Sequence, residues 1–242
     1  MRFIKKSIIT LTIQVVLFLV VSPNVVAGQF EDAKTAESRQ DYAIAFNIYR
    51  QLAEQGHAQS TFKVGVYYAC GYSVPKDEIE AVRWYYKSAE LGCAEGQFQV
   101  GLTYCNPYKA QKANITEAPE EAIRWIRKAA EQGYPNAQTY LGSLYGVGYG
   151  GLKDQAEGDK WTLRAANQGF GIAQFHMGRI YESGESSFPK DNVKAYMWYS
   201  LAVATGAQRA PEFLEKIAQK MTTEQIDEAK RLANEWKPQK EQ

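Results

Sequence analysis

Cysteine is scarce in this chain, three among 242 residues, which excludes the dense disulfide framework of a small secreted scaffold. Histidine is scarcer still, at two, and neither His57 nor His176 shares a motif with a nucleophile or a metal ligand. HExxH, CxxC and Walker sequences are missing, so no residue is assigned to catalysis, to a metal or to a cofactor. No charge sign dominates: 28 Lys+Arg face 27 Asp+Glu, a balance that argues against nucleic acid as the main partner. Only one long apolar run occurs, from Ile8 to Val21. Thr10, Thr12 and Gln14 interrupt it, and it is shorter than the roughly 20 residues a bilayer span requires.

That run follows Arg2, Lys5 and Lys6 and precedes Ser22-Pro23-Asn24 and Val25-Val26-Ala27, the layout of a secretory signal. Residues 1–27 are read as a signal peptide cleaved after Ala27. A periplasmic or secreted protein with no stable membrane span after cleavage is the expectation.

What the chain has in abundance is a period. "LAEQG" ending at Gly56, "SAELG" at Gly92, "AAEQG" at Gly133, "AANQG" at Gly169 and "AVATG" at Gly206 recur at spacings of 36, 41, 36 and 37 residues, the mark of a repeat architecture. Eight residues before each glycine stand Ile48, Trp84, Trp125, Trp161 and Trp198. Nine residues after the first four glycines come Gly65, Gly101, Gly142 and Gly178, and twelve after come Tyr68, Tyr104, Tyr145 and Tyr181.

These spacings predict two helices per unit. Helix A places alanine, Trp and alanine on one face, and its closing glycine takes the left-handed conformation. Helix B repeats small, large and Tyr residues every four positions. A glycine inside a helix is about 1 kcal/mol worse than alanine, so its return in each helix B predicts a neighbour packed too close for a side chain. Asp41, Asp77, Asp154 and Asp191 stand seven residues before Ile48 or the next tryptophan, where N-caps belong, and Asp77 with Glu80 has capping-box spacing. The third unit departs: "CNPYKAQKANITEAPE" makes a longer loop, its next helix starts at Pro119, and its "NIT" is a glycosylation sequon only in a eukaryotic host. "GVGYGG" at 146–151 resembles a phosphate loop, yet a helix precedes it and Asp154 follows; the repeat phase makes it a link between units, and its extra glycines make it the most flexible one expected.

Residues 28–40 read as an N-terminal capping helix, 41–209 as the repeat array, and 210–242 as C-terminal capping helices ending in a frayed "KPQKEQ" tail. In the last helix Ile226, Ala229, Leu232, Ala233 and Trp236 share one face.

The A-x-x-W-Y core of "AVRWYYKSAELG", the "AEQG…AQ…LG…Y" run and the V-x-K-D links resemble the Sel1-like repeat, a relative of the tetratricopeptide repeat. The resemblance covers about Asp41 to Arg209. It implies an all-α, right-handed superhelical solenoid of about five repeats, with helix A on the concave side, in an adaptor that binds protein.

Candidate site residues follow. Arg83 with Lys87, Arg124 with Lys128, and Lys160 with Arg164 are i,i+4 pairs on successive helices A, with Arg127 close by. Stacking aligns them into a basic stripe, read either as a groove for an acidic protein or peptide segment or for an anionic glycan, or as cations matching helix dipoles behind acidic first turns. The four tryptophans and four tyrosines at fixed positions read as repeat core. Cys70 and Cys105 end helices B in adjacent units, so the thiols are either bridged or, with Cys93, free. "STFK", Ser60 to Lys63, matches the S-x-x-K of penicillin-recognising enzymes, and cysteine-rich members of the resembled family act as weak β-lactamases. The alternative to an adaptor is therefore a weak β-lactamase or a peptidoglycan-active enzyme, although SDN and KTG partners are missing.

Overall fold

The computed structural model describes residues 23–112 and 118–239. The expected signal segment through residue 22 and the "NIT" sequon lie outside the described residues. All regular structure among the described residues is helical. A leading helix α1 (Pro23–Ser38) precedes alternating tryptophan-type helices, α2 (Tyr42–Glu54), α4 (Glu78–Glu90), α7 (Pro119–Glu131), α9 (Gln155–Asn167) and α11 (Asn192–Ala204), and glycine–tyrosine helices, α3 (Ala58–Cys70), α5 (Ala94–Tyr104), α8 (Pro135–Val147) and α10 (Gly171–Ser183). A short α6 (Pro107–Lys112) occupies the long third link, and α12 (Ala210–Ala218) and α13 (Thr223–Glu235) close the stack. From α1 to α5 and from α7 to α11 each helix packs on the next, α5 packs on α7 past the short α6, and α12 and α13 both pack on α11, which makes the chain an all-α solenoid. The leading helix starts at Pro23, upstream of residue 28, so cleavage after Ala27 would trim its first turn and leave Phe30 and the fully buried Ala33 in place.

Every tryptophan-type helix ends as its glycine implies. Gly92, at φ 90°, turns the chain in a conformation that a Cβ disfavours, and the corresponding glycine of each other unit also has positive φ. The next helix then packs antiparallel. Three aspartates cap as expected: Asp77 accepts from the backbone N–H of Ile79 and Glu80, Asp154 from Glu157 and Asp191 from Lys194. Each also donates its own N–H to the carbonyl of the repeat tyrosine behind it, Tyr68, Tyr145 or Tyr181, at 2.9, 3.2 and 2.9 Å. Asp41 occupies the N-cap position without a side-chain cap bond. The Asp77 capping box is half formed, because Glu80 turns away to accept from Trp84 Nε1 and Arg83.

The glycine inside each glycine–tyrosine helix lies against the following tryptophan helix. A Cβ on Gly142 would sit 2.5 Å from Thr162 Oγ1 and 2.7 Å from the backbone oxygen of Gly158. Gly158 itself stands where the other units carry alanine, so α8 and α9 meet backbone to backbone. The equivalent positions Gly65, Gly101 and Gly178 face Tyr85, Ile126 and Tyr199.

A polar ladder joins neighbouring units. Buried Gln97, Gln138 and Gln174 each donate to a carbonyl in the last turn of the preceding helix, Ala89, Ala130 or Ala166. Their own side-chain oxygens accept from the next unit, through Gln132 at 2.7 Å, Gln168 at 2.8 Å and Thr205 at 3.4 Å. Satisfying a buried amide on both sides avoids the desolvation penalty of about 1–3 kcal/mol per orphaned group. It also fixes the register between units.

At the C-terminal end, α12 and α13 cover α11. Ala229, Ile226 and Trp236 join Trp198, Phe175 and Tyr199 in one core cluster, and Thr222 with Gln225 forms a complete capping box. The tail does not fray at once: Gln239 N–H donates to Asn167 O at 2.8 Å, and Trp236 and Pro238 lie over Gly169. "GVGYGG" also departs from a loose link. Gly148 ends α8, Tyr149–Gly151 forms a 3-10 turn, and Gly150 rests against Ile123 and Pro119 of α7, space that no side chain could share.

Candidate interaction surfaces

The repeat aromatics sit in the packing seams. Trp125, Trp161 and Trp198 are buried, and Trp84 is half-buried with its indole N–H donated to Glu80 at 3.0 Å. Tyr181 is buried against Phe188, Tyr68 meets Phe46, Tyr104 meets Tyr86, and Tyr145 accepts from Arg127 at 2.9 Å.

Each cation of the stripe has a local partner. Arg83 pairs with Glu80 at 3.1 Å, Arg124 with Glu121, and Lys160 with Glu157 at 3.2 Å, all one turn apart near the helix start. Lys87, Lys128 and Arg164 lie over the rings of Trp84, Trp125 and Trp161 at 4.8, 4.6 and 4.5 Å. Exposed i,i+3 pairs stabilise a helix by a few tenths of a kcal/mol, and a cation over an indole by about 0.5–1 kcal/mol. The stripe therefore supports its own helices, with acids at the start and cations toward the end of each.

The thiols are free. Cys70 is exposed at the end of α3 beside Tyr72. Cys105 is half-buried among Tyr140 and Tyr149 of the next unit. Each thiol thus faces its own aromatic neighbours, and no Cys70–Cys105 bridge is formed. Burial pushes both Cys93 and Cys105 above the ordinary thiol pKa, which suppresses the reactive thiolate.

Nor are the two polar residues of the S-x-x-K sequence turned to one another. Ser60 is fully buried, with its hydroxyl 2.7 Å from His57 Nδ1. The Lys63 ammonium instead binds Glu37 at 2.8 Å. His57 caps α3 through the Ser60 N–H, and burial lowers its pKa.

Two clefts open on the glycine–tyrosine side of the array. One, about 590 Å³, lies between α1 and α3 and is lined by Phe30, Phe62, Lys34, Lys63 and Glu37. Its two lysines are held by Glu31 and Glu37. The other, about 540 Å³, lies between α10 and α12 and is lined by His176, Arg179, Ile180 and Phe213, with Glu182 and Glu185. Glu182 accepts from Lys220 and from Tyr199 OH, each at 2.9 Å. Burial works against its charge, but these bonds and Lys190 hold its pKa below the usual value. Buried Asp159 is a unit-specific addition that the repeat pattern did not signal. Its carboxylate accepts from Gln155 and from the Ser187 N–H and hydroxyl, pinning the link before α11.

Two of the three successive glycine–tyrosine pairs touch, α3 with α5 and α8 with α10, while α5 and α8, parted by the long third link, do not come as close, and neither does any successive pair of tryptophan helices. Closer approach on one side bends a stack toward that side, so the glycine–tyrosine helices line the inner face.

Helix pairs locked by a mid-helix glycine, stacked in register and sealed by terminal helices define an α/α solenoid protein. The particular class is Sel1: the chain belongs to the Sel1 repeat family, whose model matches residues 36–57, 58–93, 94–134, 135–170 and 171–204. Each full match opens on a glycine–tyrosine helix, one helix out of phase with the unit counted along the sequence. The family's first helix is therefore the inner one, and the basic stripe rides on the second, outer helix. A Sel1 repeat protein of Oxalobacter formigenes is 26% identical, with 92% of this chain and 90% of that one covered and a TM-score of 0.69. A protective antigen of uropathogenic Escherichia coli with an SLR fold is 28% identical, covering 87% of this chain and 53% of that one, at a TM-score of 0.58. An immunity protein of Pseudomonas aeruginosa is 23% identical over 89% of this chain and 80% of that one, at a TM-score of 0.57, a likeness of fold alone. No curated protein sequence matches the chain.

Proposed function

We propose that this chain is a protein-binding scaffold of the periplasm or of the secreted fraction, and that its partner lies along the inner face of the glycine–tyrosine helices. Sel1 repeats mediate protein interactions, and the observation that carries the placement is that the α1–α3 cleft and the α10–α12 cleft open on this face. Positions that packing leaves unused vary there from unit to unit, as in Gln59, Glu95, Asn136 and Ile172. On the outer face, by contrast, the cations are committed to acids and indoles of their own helices. The setting rests on the signal-like layout of residues 1–27.

The test is site-specific photocrosslinking in the native envelope, with the crosslinker at Gln59 or Ser143 on the inner face and at Arg83 or Lys160 on the outer. A partner captured from the inner positions and missed from the outer ones is the expected result. Capture only from Arg83 and Lys160 would return the stripe to first place.

A further inference from the structure

We infer that the cleft where the last repeat meets the C-terminal cap receives a protein segment presenting a carboxylate to Arg179 beside an apolar side chain laid on Ile180 and Phe213. This rests on the scaffold reading and names the chemistry of its partner.

The repeat does not require a cation at this place. The position ten residues after the unit glycine holds Val66, Leu102 and Ser143 in the earlier units and Arg179 in the last. Arg179 is exposed and makes no ion pair among the described residues. The acids around it are engaged elsewhere. Glu182 is held by Lys220 and Tyr199, Glu212 is paired with Lys216, and Asp159 is buried on Gln155 and Ser187, which leaves Glu185 at the rim. Arg209 lies over the rings of Phe175 and Phe213 at 5.8 and 5.4 Å and also makes no ion pair among the described residues.

An uncompensated guanidinium beside half-buried apolar side chains is an arrangement for an amphipathic ligand. Arginine binds a carboxylate through two parallel hydrogen bonds, and Ile180 with Phe213 supplies apolar area that a bare anion would leave wet. Ser183, Ser186 and Gln155 line the remaining wall and can bond a peptide backbone. Burial and the adjacent Arg179 lower the pKa of His176, so near neutral pH the imidazole is uncharged and serves as a hydrogen-bonding group. A volume of about 540 Å³ lies within the range of ligand-sized clefts.

The experiment uses labelled short peptides on a Gly/Ser background, carrying one Asp and one Phe at varied spacing, with Asp-only and Phe-only controls. Binding to the full chain is read by fluorescence anisotropy. At least one Asp–Phe spacing is expected to bind better than either control, with affinity reduced about tenfold or more by Arg179→Glu and by Phe213→Ser, and weakened by salt. Arg179→Gln, isosteric enough to leave folding intact at an exposed site, should lose the advantage of Asp while keeping the wild-type melting curve. Equal binding to Phe-only peptides, full binding by Arg179→Glu, or no binding by any spacing overturns the inference. Inner-face crosslinking that captures a partner while every peptide fails would sink this cleft and leave the scaffold reading standing.

Discussion

Gly142→Ala should destabilise this protein even though alanine is the better helix former. The substitution gains about 1 kcal/mol of helix propensity. Against that, the new methyl would lie 2.7 Å from the Gly158 backbone oxygen and 2.5 Å from Thr162 Oγ1, where ordinary contacts begin near 3.4 Å. The hydroxyl can rotate aside, but a backbone oxygen cannot, so α8 and α9 must separate along a seam that also buries Leu141, Leu144 and Trp161. Overpacking of this kind costs about 1–3 kcal/mol, and the rigid backbone contact puts it at the upper end, for a net loss of about 2 kcal/mol. For a domain of this size that corresponds to a fall in Tm of about 4–8 °C. Gly146, one turn further along α8, is the control, because a Cβ there meets only the side chain of Gln155 at 3.5 Å. Gly146→Ala should be neutral or stabilising by up to about 1 kcal/mol. Thermal and urea unfolding followed by far-UV circular dichroism decide the matter. If Gly142→Ala melts at or above the wild-type temperature, or if the two variants lose stability equally, close approach is not why glycine stands there.

Asp154→Ala removes a formed cap bond and should cost about 1 kcal/mol, whereas Asp41→Ala, with no side-chain cap to lose, should change the urea midpoint by a few tenths of a kcal/mol at most; equal losses would refute the distinction. Acidification should also weaken the fold before carboxylates titrate. His57 and His176 both have pKa values lowered from 6.5, so the unfolded chain takes up their protons first. Their contribution is complete above about pH 6.5 and is lost as pH falls through that value and below it. Tm should drop on going from about pH 7.5 to about pH 5.5, and His176→Gln should shrink the drop. An unchanged drop in that variant would exclude His176 as a source.

Much of the fold was legible because its signals are local. A tryptophan eight residues before a glycine and an aspartate seven before the tryptophan act within a helix or across one turn, and the structure uses them so, except at Asp41 and Glu80. The mid-helix glycine reaches only to the next helix, and its close contact was legible too. Less local features were not. The glutamine ladder pairs side chains 30 to 35 residues apart, and although each glutamine stands at a repeating place, nothing in the order of residues says which two meet. Asp159 breaks the repeat without announcing its partner Ser187. The docked tail and the packed "GVGYGG" turn depend on surfaces that exist only once the array is stacked.

The sequence by itself determined the helical period, the repeat family and the aromatic seams, since periodic burial and helix-ending glycines act over one or two turns. Only the tertiary structure decided which helices line the inner face and that the basic stripe is satisfied on the outer one. It alone decided that Arg179 stands beside Phe213 in a cleft. The physical reason is that curvature is a sum of small differences in spacing between non-adjacent helices. Residues from a repeat and from its cap become neighbours only when that sum is complete.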